Sequence, residues 1–336
     1  MTPYPLSDSI DQSTPIAVLS YAVHVPGADS WATGGAAIDG EPMCSAEEAQ
    51  SVLGRKGLLF KEPATRLAMC AVQRALGLPP GRPAGPLPLA DRTAVIVSSN
   101  LGNLQTVCSI AAAVRVSDFH VVSPLETPNA SSNVIASTIA IRFGFTGPNI
   151  MLCNGATSGL DAVRLGARLL RAGRAERVVV VGAEPEDEVA QALAKSRDPR
   201  TSPDRGVPAL RAAASCVVLG RADSPAFAEG TALLGAGGVL PPGSAVDQIL
   251  PTDFRGLMFV PYGLSPRVPA ADGDQDRVVD LTERLGETYG ALGVLQVAAA
   301  AARLTSGEGT DQAYAACGDA IEGYAWLSLH AGTVTT

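Results

Sequence analysis

An α/β protein whose sheet is covered on both faces is what this sequence predicts, and three observations predict it. Short, continuous apolar runs recur at 16–19, 93–97 and 177–181. A strand that is apolar on both sides must be buried on both sides. Helix-period segments alternate with these runs, and glycines stand where the helices have to stop.

The elements follow in order. After a polar tail over residues 1–15, Ile16-Ala17-Val18-Leu19 opens the first strand. Residues 61–76 read as an amphipathic helix with Leu67, Ala68, Ala71, Val72 and Ala75 near one face. Residues 93–97 are a β-branched strand. Residues 134–143 form a helix closed by Gly144, and 160–171 a helix closed by Gly173. A further apolar strand over 177–181 ends at Gly182. Residues 183–204 are charged and polar, which predicts a surface excursion linking two halves. Strand character restarts over 212–219. The second half repeats the layout loosely, with a strand at 257–260, a long apolar helix at 290–304 and a final strand at 323–329. The expected division is a tail (1–15), a first half (16–204) and a shortened second half (205–336).

Composition narrows the partners. The chain has 336 residues, 46% of them hydrophobic and 17% charged, enough to bury one large core or two fused ones. Its net charge of −8 and pI near 5.0 provide no clustered Lys and Arg for nucleic acid or an anionic membrane, so neither partner is expected. The tail lacks the basic start and apolar segment of a signal or transit peptide. The longest apolar stretch, 293–302, is too short to span a bilayer. The expected location is the cytoplasm. The six cysteines stand singly, without metal-ligand spacing, and there are three histidines; no metal site and no disulfide framework are expected. With no Gly-x-Gly-x-x-Gly or Walker A motif, no cofactor is expected either.

The segment from Gly147 onward carries the chemistry. Gly147-Pro148-Asn149 leads into an apolar run through Cys153, and Asn154-Gly155-Ala156-Thr157-Ser158-Gly159-Leu160-Asp161-Ala162 opens a helix. A strand that turns sharply into a helix presents one side chain beside the unsatisfied N–H groups of the helix start, where negative charge is favoured. This is the layout of a nucleophile elbow, and the presented residue is Ala156, which cannot attack anything. Cys153, inside the apolar run, reads as a small core residue. Asp161 reads as a first-turn carboxylate stabilised by the helix dipole.

These residues resemble the β-ketoacyl synthases of the thiolase superfamily, in which the segment reads Gly-Pro-Asn, strand, Thr-Ala-Cys-Ala-Ser-Gly-Leu-Asp-Ala. The family's nucleophilic cysteine lies nine residues after the first glycine, and Ala156 lies nine after Gly147. The likeness continues in Pro128-Asn129, in 140–146, in Arg171-Ala172-Gly173-Arg174-Ala175 and in Val178-Val179-Val180-Val181-Gly182-Ala183-Glu184, and covers roughly 16–330. It implies a thiolase-like five-layered αβαβα fold made of two similar halves that share a core.

The resemblance also shows what has been lost. Such enzymes join the cysteine to two histidines, and removing any one of the three disables the unit. The first histidine sits in Val-x-x-His-Gly-Thr, a frame that Phe259-Val260-Pro261-Tyr262-Gly263 fits with Tyr262 in its place. The second sits in Lys-Ser-x-x-Gly-His, onto which 282–287 falls with Thr282 for the lysine and Glu287 for the histidine. His24, His120 and His330 lie outside both frames and read as surface or satisfied polar residues.

A ketosynthase without its nucleophile resembles the chain-length factors of type II polyketide synthases. That resemblance implies a heterodimer with a catalytic ketosynthase subunit, in which 149–154 (Asn149, Ile150, Met151, Leu152, Cys153, Asn154) pair across the two-fold axis. Acyl carrier protein would dock mainly on the partner, and the growing polyketide chain would run along a shared tunnel. Ser98-Ser99-Asn100 matches the turn before the gating helix, which places Gln105, Cys108 and Ala112 at the chain-length positions; the same stretch also reads as a small-residue helix packed on a neighbour. The shortened second half is similar to the smaller factors of highly reducing, polyene-forming systems. Two other readings stand beside this one: a repurposed thiolase-fold acyltransferase, hydrolase or cyclase using Tyr262 or Glu287, and a scaffold that only stabilises a ketosynthase.

Overall fold

The structure is a computed structural model that describes residues 14–28, 43–117, 120, 122–196, 208–228, 230–251, 254–264, 277–306 and 310–332. Its elements are β1 Ile16–His24, α1 Gln50–Leu53, α2 Pro63–Ala75, β2 Thr93–Ser98, α3 Leu104–Val116, α4 Val134–Phe143, β3 Asn149–Leu152, α5 Ser158–Arg171, β4 Arg177–Glu184, α6 Glu188–Ser196, β5 Ala213–Arg221, β6 Ala232–Leu240, β7 Leu257–Phe259, β8 Val278–Val279, α7 Leu281–Leu285, α8 Leu292–Thr305, β9 Gln312–Asp319 and β10 Gly323–Ala331.

Strand order exposes an internal repeat. The first five strands run β3-β2-β4-β5-β1, and the last five run β6-β10-β9-β7-β8, which is the same order in mirror sequence. Hydrogen-bond directions repeat as well: β2 is parallel to β3 and β4, while β5 is antiparallel to β4 and β1. Correspondingly, β7 is parallel to β8 and β9, while β10 is antiparallel to β9 and β6. Within the sheet, the described residues of the two sets pair at Ile16↔Leu234 and Ala17↔Leu233, between β1 and β6. This is the thiolase-like plan of two similar α/β halves.

Alternation along each strand sorts the side chains into layers. Ile96, Val178, Val180, Val217 and Leu219 face a central cluster shared with Phe259, Ala315 and Leu327 of the second half. Helices α5 and α8 fill that space, and twelve of the fourteen α8 residues are buried. On the outside of the first half, Val95, Val97, Val179, Val181 and Val218 meet α2 and α4. On the outside of the second half, Met258, Val260, Tyr314 and Tyr324 meet Ile249, Phe254 and Trp326. None of the described residues in that last cluster belongs to an α-helix.

The central helices cross with backbones in contact. A Cβ on Gly159 of α5 would lie 2.8 Å from the Gly293 amide nitrogen of α8, so neither position tolerates a side chain. Gly144, at φ +74°, closes α4 as expected.

Several expectations change. Residue 153 does not lie in a buried strand: β3 ends at Leu152, its four residues are half-buried, and Cys153 is exposed. The reason is that β3 is an edge strand paired only with β2. The polar stretch 183–204 is not simply a linking excursion, because β4 runs on to Glu184 and α6 follows. Strand β5 sits between β4 and β1 and so belongs to the first set of strands. Helix α2 is buried around most of its circumference, not on one face, because it is sandwiched between the sheet and α1 and α4. Among the described residues no helix is long and apolar enough to cross a membrane.

Candidate functional site

The elbow forms where the sequence places it. After Leu152 the chain turns through Cys153 and Asn154, makes a 3₁₀ turn over Gly155–Thr157 and enters α5. Gly155 adopts φ +82°, a conformation natural only to glycine. Asn100 holds the turn from the side: its Nδ2 donates to Gly155 O (3.1 Å), and Gly155 N–H donates to its Oδ1 (3.0 Å). Asp161 behaves as a first-turn carboxylate, accepting from Thr157 Oγ1 (2.8 Å) and Asn154 Nδ2 (2.6 Å) and pairing with Arg164 (3.3 Å).

Ala156 is half-buried, and its backbone N–H is already taken. Glu322, on the β9–β10 turn, accepts it on Oε2 at 2.6 Å. The approach depends on Gly155, where a Cβ would meet the Glu322 carboxylate at 2.5 Å. The other oxygen, Oε1, accepts from the Tyr289 hydroxyl at 2.8 Å. Tyr289 in turn has φ +38°, a left-handed conformation that costs a non-glycine residue about 1–2 kcal/mol; its N–H donates to Glu287 Oε1 at 2.6 Å. An elbow N–H is where a developing oxyanion would be stabilised during acyl transfer. A carboxylate there occupies the donor and places like charge against any oxyanion.

A second carboxylate braces the floor. Glu184 is fully buried and accepts from Asn100 N–H (2.7 Å), Leu101 N–H (3.0 Å), Gly290 N–H (3.1 Å) and Ser99 Oγ (3.3 Å). Burial pushes its pKa up to about 7, against the opposing pull of those donors. It ties the turn after β2 to the turn before α8, and so joins the two halves.

These groups open on a cavity of about 540 Å³ lined by Asn100, Cys153, Glu287, Tyr289 and Glu322, with Leu193, Ala194 and Leu210 on its apolar side. Glu287 therefore reaches the cavity, while Tyr262 and Thr282 are not among its lining residues. Tyr262 is half-buried beyond β7, and Thr282 is buried in the first turn of α7. Sequence reasoning missed Tyr289 and Glu322. Tyr289 sits two residues beyond the Glu287 frame position. Glu322 lies 166 residues from Ala156, and nothing local marks it.

Gln105, Cys108 and Ala112 lie on α3 and are all exposed. Helix α3 has no buried residue although it is largely apolar, and Val107, Val114 and Val116 are exposed along it, with Leu125 and Ile141 exposed in the neighbouring segments. His120 and His330 are exposed. His24 is not a surface histidine: it is fully buried, its Nε2 donates to the Cys44 carbonyl at 2.9 Å, and its Nδ1 has no hydrogen-bond partner among the described residues.

Comparison with known proteins agrees with this architecture. A family model described as Beta-ketoacyl synthase, N-terminal domain, matches residues 47–234, more than half of the chain. Two curated relatives, the 3-oxoacyl-[acyl-carrier-protein] synthase 2 proteins of Vibrio harveyi and Vibrio cholerae, are each 33% identical over 95 residues. Those matches span 28% of this chain and 23% of the relatives. Among solved structures, the ishigamide ketosynthase/chain length factor superposes with a TM-score of 0.66 at 19% identity, covering 95% of this chain and all of the other. A type II PKS acyl-carrier protein in complex with its ketosynthase bound to the hexaketide gives 0.72 at 14% identity, covering 95% and 99%. A ketosynthase of the bacillaene synthase from Bacillus amyloliquefaciens gives 0.62 at 16%, covering 95% and 76%.

Proposed function

The chain belongs to the β-ketoacyl synthase family, and from that premise we propose that it is a non-catalytic subunit of the chain-length-factor type. It pairs with an active ketosynthase and forms part of the acyl tunnel that sets polyketide length. The observation that carries this reading is the elbow: the strand–turn–helix path is kept and Asn100 braces it, yet the nucleophile position is Ala156 and its N–H is held by Glu322. A fold that keeps the architecture of a site and fills it with an alanine and a carboxylate has a use for the architecture alone.

Two further observations support it. Helix α3 presents Gln105, Cys108 and Ala112 at i, i+3 and i+7, hence along one face, with no residue of the helix buried. Strand β3 is half-buried and lies at the sheet edge, paired among the described residues with β2 alone. An exposed apolar helix and an open strand edge are each surfaces that another chain covers, and in this reading residues 149–154 supply the strand. Carrier protein delivers the acyl chain to the partner in this reading.

The test is co-expression with a catalytic ketosynthase subunit from the same source, followed by size exclusion and a malonyl-carrier elongation assay with and without Ala156→Cys. A one-to-one complex whose elongation needs this subunit and is indifferent to Ala156→Cys supports the proposal. Turnover by the isolated chain, lost on Glu287→Gln or Tyr262→Phe, replaces it with an acyl-transferring or hydrolytic enzyme. Unchanged product length on filling Cys108 or Ala112 reduces the role to a scaffold.

A further inference from the structure

His24 ends β1, Cys44 precedes α1, and Cys70 lies within α2; one ligand atom from each falls within 4.8 Å of the other two. They sit in the outer layer of the first half, away from the elbow and its cavity. His24 and Cys70 are fully buried, and Cys44 is half-buried. His24 Nε2 stands 3.6 Å from Cys44 Sγ and 2.9 Å from the Cys44 carbonyl oxygen. Nε2, in donating to the Cys44 carbonyl, carries the ring proton, and Nδ1 is buried without a partner among the described residues, so the imidazole keeps one unused lone pair.

We propose that His24, Cys44 and Cys70 bind one thiophilic cation of the zinc class. The donor set decides the class: two sulfurs and one imidazole nitrogen suit Zn²⁺ and similar soft cations, and the absence of any carboxylate from the cluster argues against Mg²⁺ and Ca²⁺. The spacing is compatible too. With metal–sulfur and metal–nitrogen bonds of about 2.3 and 2.0–2.1 Å, a tetrahedral nitrogen–sulfur edge is about 3.5 Å, close to the 3.6 Å between His24 and Cys44. Closure of the remaining distances is a side-chain adjustment. Cys44, being half-buried, provides the entry path, and a water completes four-coordination. Binding releases the two thiol protons to solvent, and ligation through His24 Nε2 moves the ring proton to Nδ1 and gives up the hydrogen bond to the Cys44 carbonyl. The cation then clips β1, the segment before α1 and α2 into one unit, a structural role independent of the subunit reading above.

The experiment uses the reduced, chelator-dialysed full chain, alone or in complex with its ketosynthase, and Co²⁺ as the probe. The expected result is saturable uptake of one equivalent, with thiolate-to-cobalt charge transfer and the d–d bands of four-coordinate geometry, reversed by Zn²⁺. Cys44→Ser and Cys70→Ser should each weaken uptake by about tenfold or more and diminish the charge-transfer band. Because Cys70 is buried and its variant can misfold, a second measurement uses the native chain. One equivalent of Zn²⁺ should slow alkylation of Cys44 about tenfold or more, while the exposed Cys108 and Cys153 react as before. Absence of stoichiometric uptake, a titration unchanged by Cys44→Ser, or equal alkylation of Cys44 with and without Zn²⁺ overturns the proposal.

Discussion

Among the described residues, the two halves of the sheet share one strand order but not one covering. Outside the first half lie α2 and α4, packed on a lattice of valines from β2, β4 and β5. Outside the second half, Tyr314 stacks on Trp326 with ring centroids 5.6 Å apart, Phe254 tilts against Tyr314 at 5.8 Å, and the Tyr314 hydroxyl donates to the Ile249 carbonyl. Among the described residues, three large rings and a 3₁₀ turn stand where two helices stand in the first half. The difference teaches which part of this architecture is obligatory. What repeats is the sheet and the central helices α5 and α8; an outer face needs only enough apolar area to exclude water, and aromatic side chains supply much area per residue.

The sharpest way to break the comparison is at the element that both halves share. Gly159→Val places a branched side chain against the Gly293 backbone and should destabilise both halves together, by on the order of 4 kcal/mol. Urea unfolding should show one transition at much lower denaturant; a loss under 1 kcal/mol would mean the crossing is loose.

Tyr314→Ala removes the centre of the aromatic cover and should cost about 3 kcal/mol. Its signature is local. Amide exchange should quicken in β7, β9 and β10 while β2, β4 and β5 keep their protection, and equal acceleration in both sets would mean that the halves do not have separable covers.

Glu184→Gln tests the brace between the halves. The amide turns a donor toward backbone N–H groups that need acceptors, at a cost of about 2 kcal/mol. Because burial raises the Glu184 pKa from 4.5 to about 7, the folded state holds a proton that the unfolded state has released between those values. Its contribution is greatest at and below pH 4.5 and falls as the pH rises through about 7. The Tm gap between native protein and variant should therefore narrow from pH 5 to pH 8, and a gap that widens contradicts the raised pKa.

The smallest stability effect belongs to α3. Ala112→Leu adds apolar atoms to an exposed position and should change the isolated chain by no more than about 0.5 kcal/mol. In the complex it should shorten the product, since it narrows the proposed tunnel. A large loss of Tm would show that α3 is packed within its own chain.

Much of this was legible in the residues. The β-branched runs marked β2 and β4, and the helix ends at Gly144 and Gly173 follow from glycine's access to positive φ. The elbow register rested on a count within one short segment, and Ala156 does stand at the turn. Other strands were hidden by composition. β6 carries Gly235, Gly237 and Gly238 because Trp326 and Ser328 approach it too closely for side chains, and those glycines erase the strand pattern. β9 is rich in alanine, which signals no strand. Cys153 misled because an apolar run implies burial only where the strand has neighbours on both sides.

By itself, the sequence determined the periodicity of its elements, the positions of its turns and the place of Ala156 in the elbow, since each depends on residues within a few positions of one another. Tertiary structure alone decided that Glu322 caps the Ala156 amide, that Tyr289 rather than Tyr262 lines the cavity, and that His24, Cys44 and Cys70 converge. Those meetings span tens to hundreds of residues, and they are set by how the two halves stack and which strand lies at an edge, which no local pattern encodes.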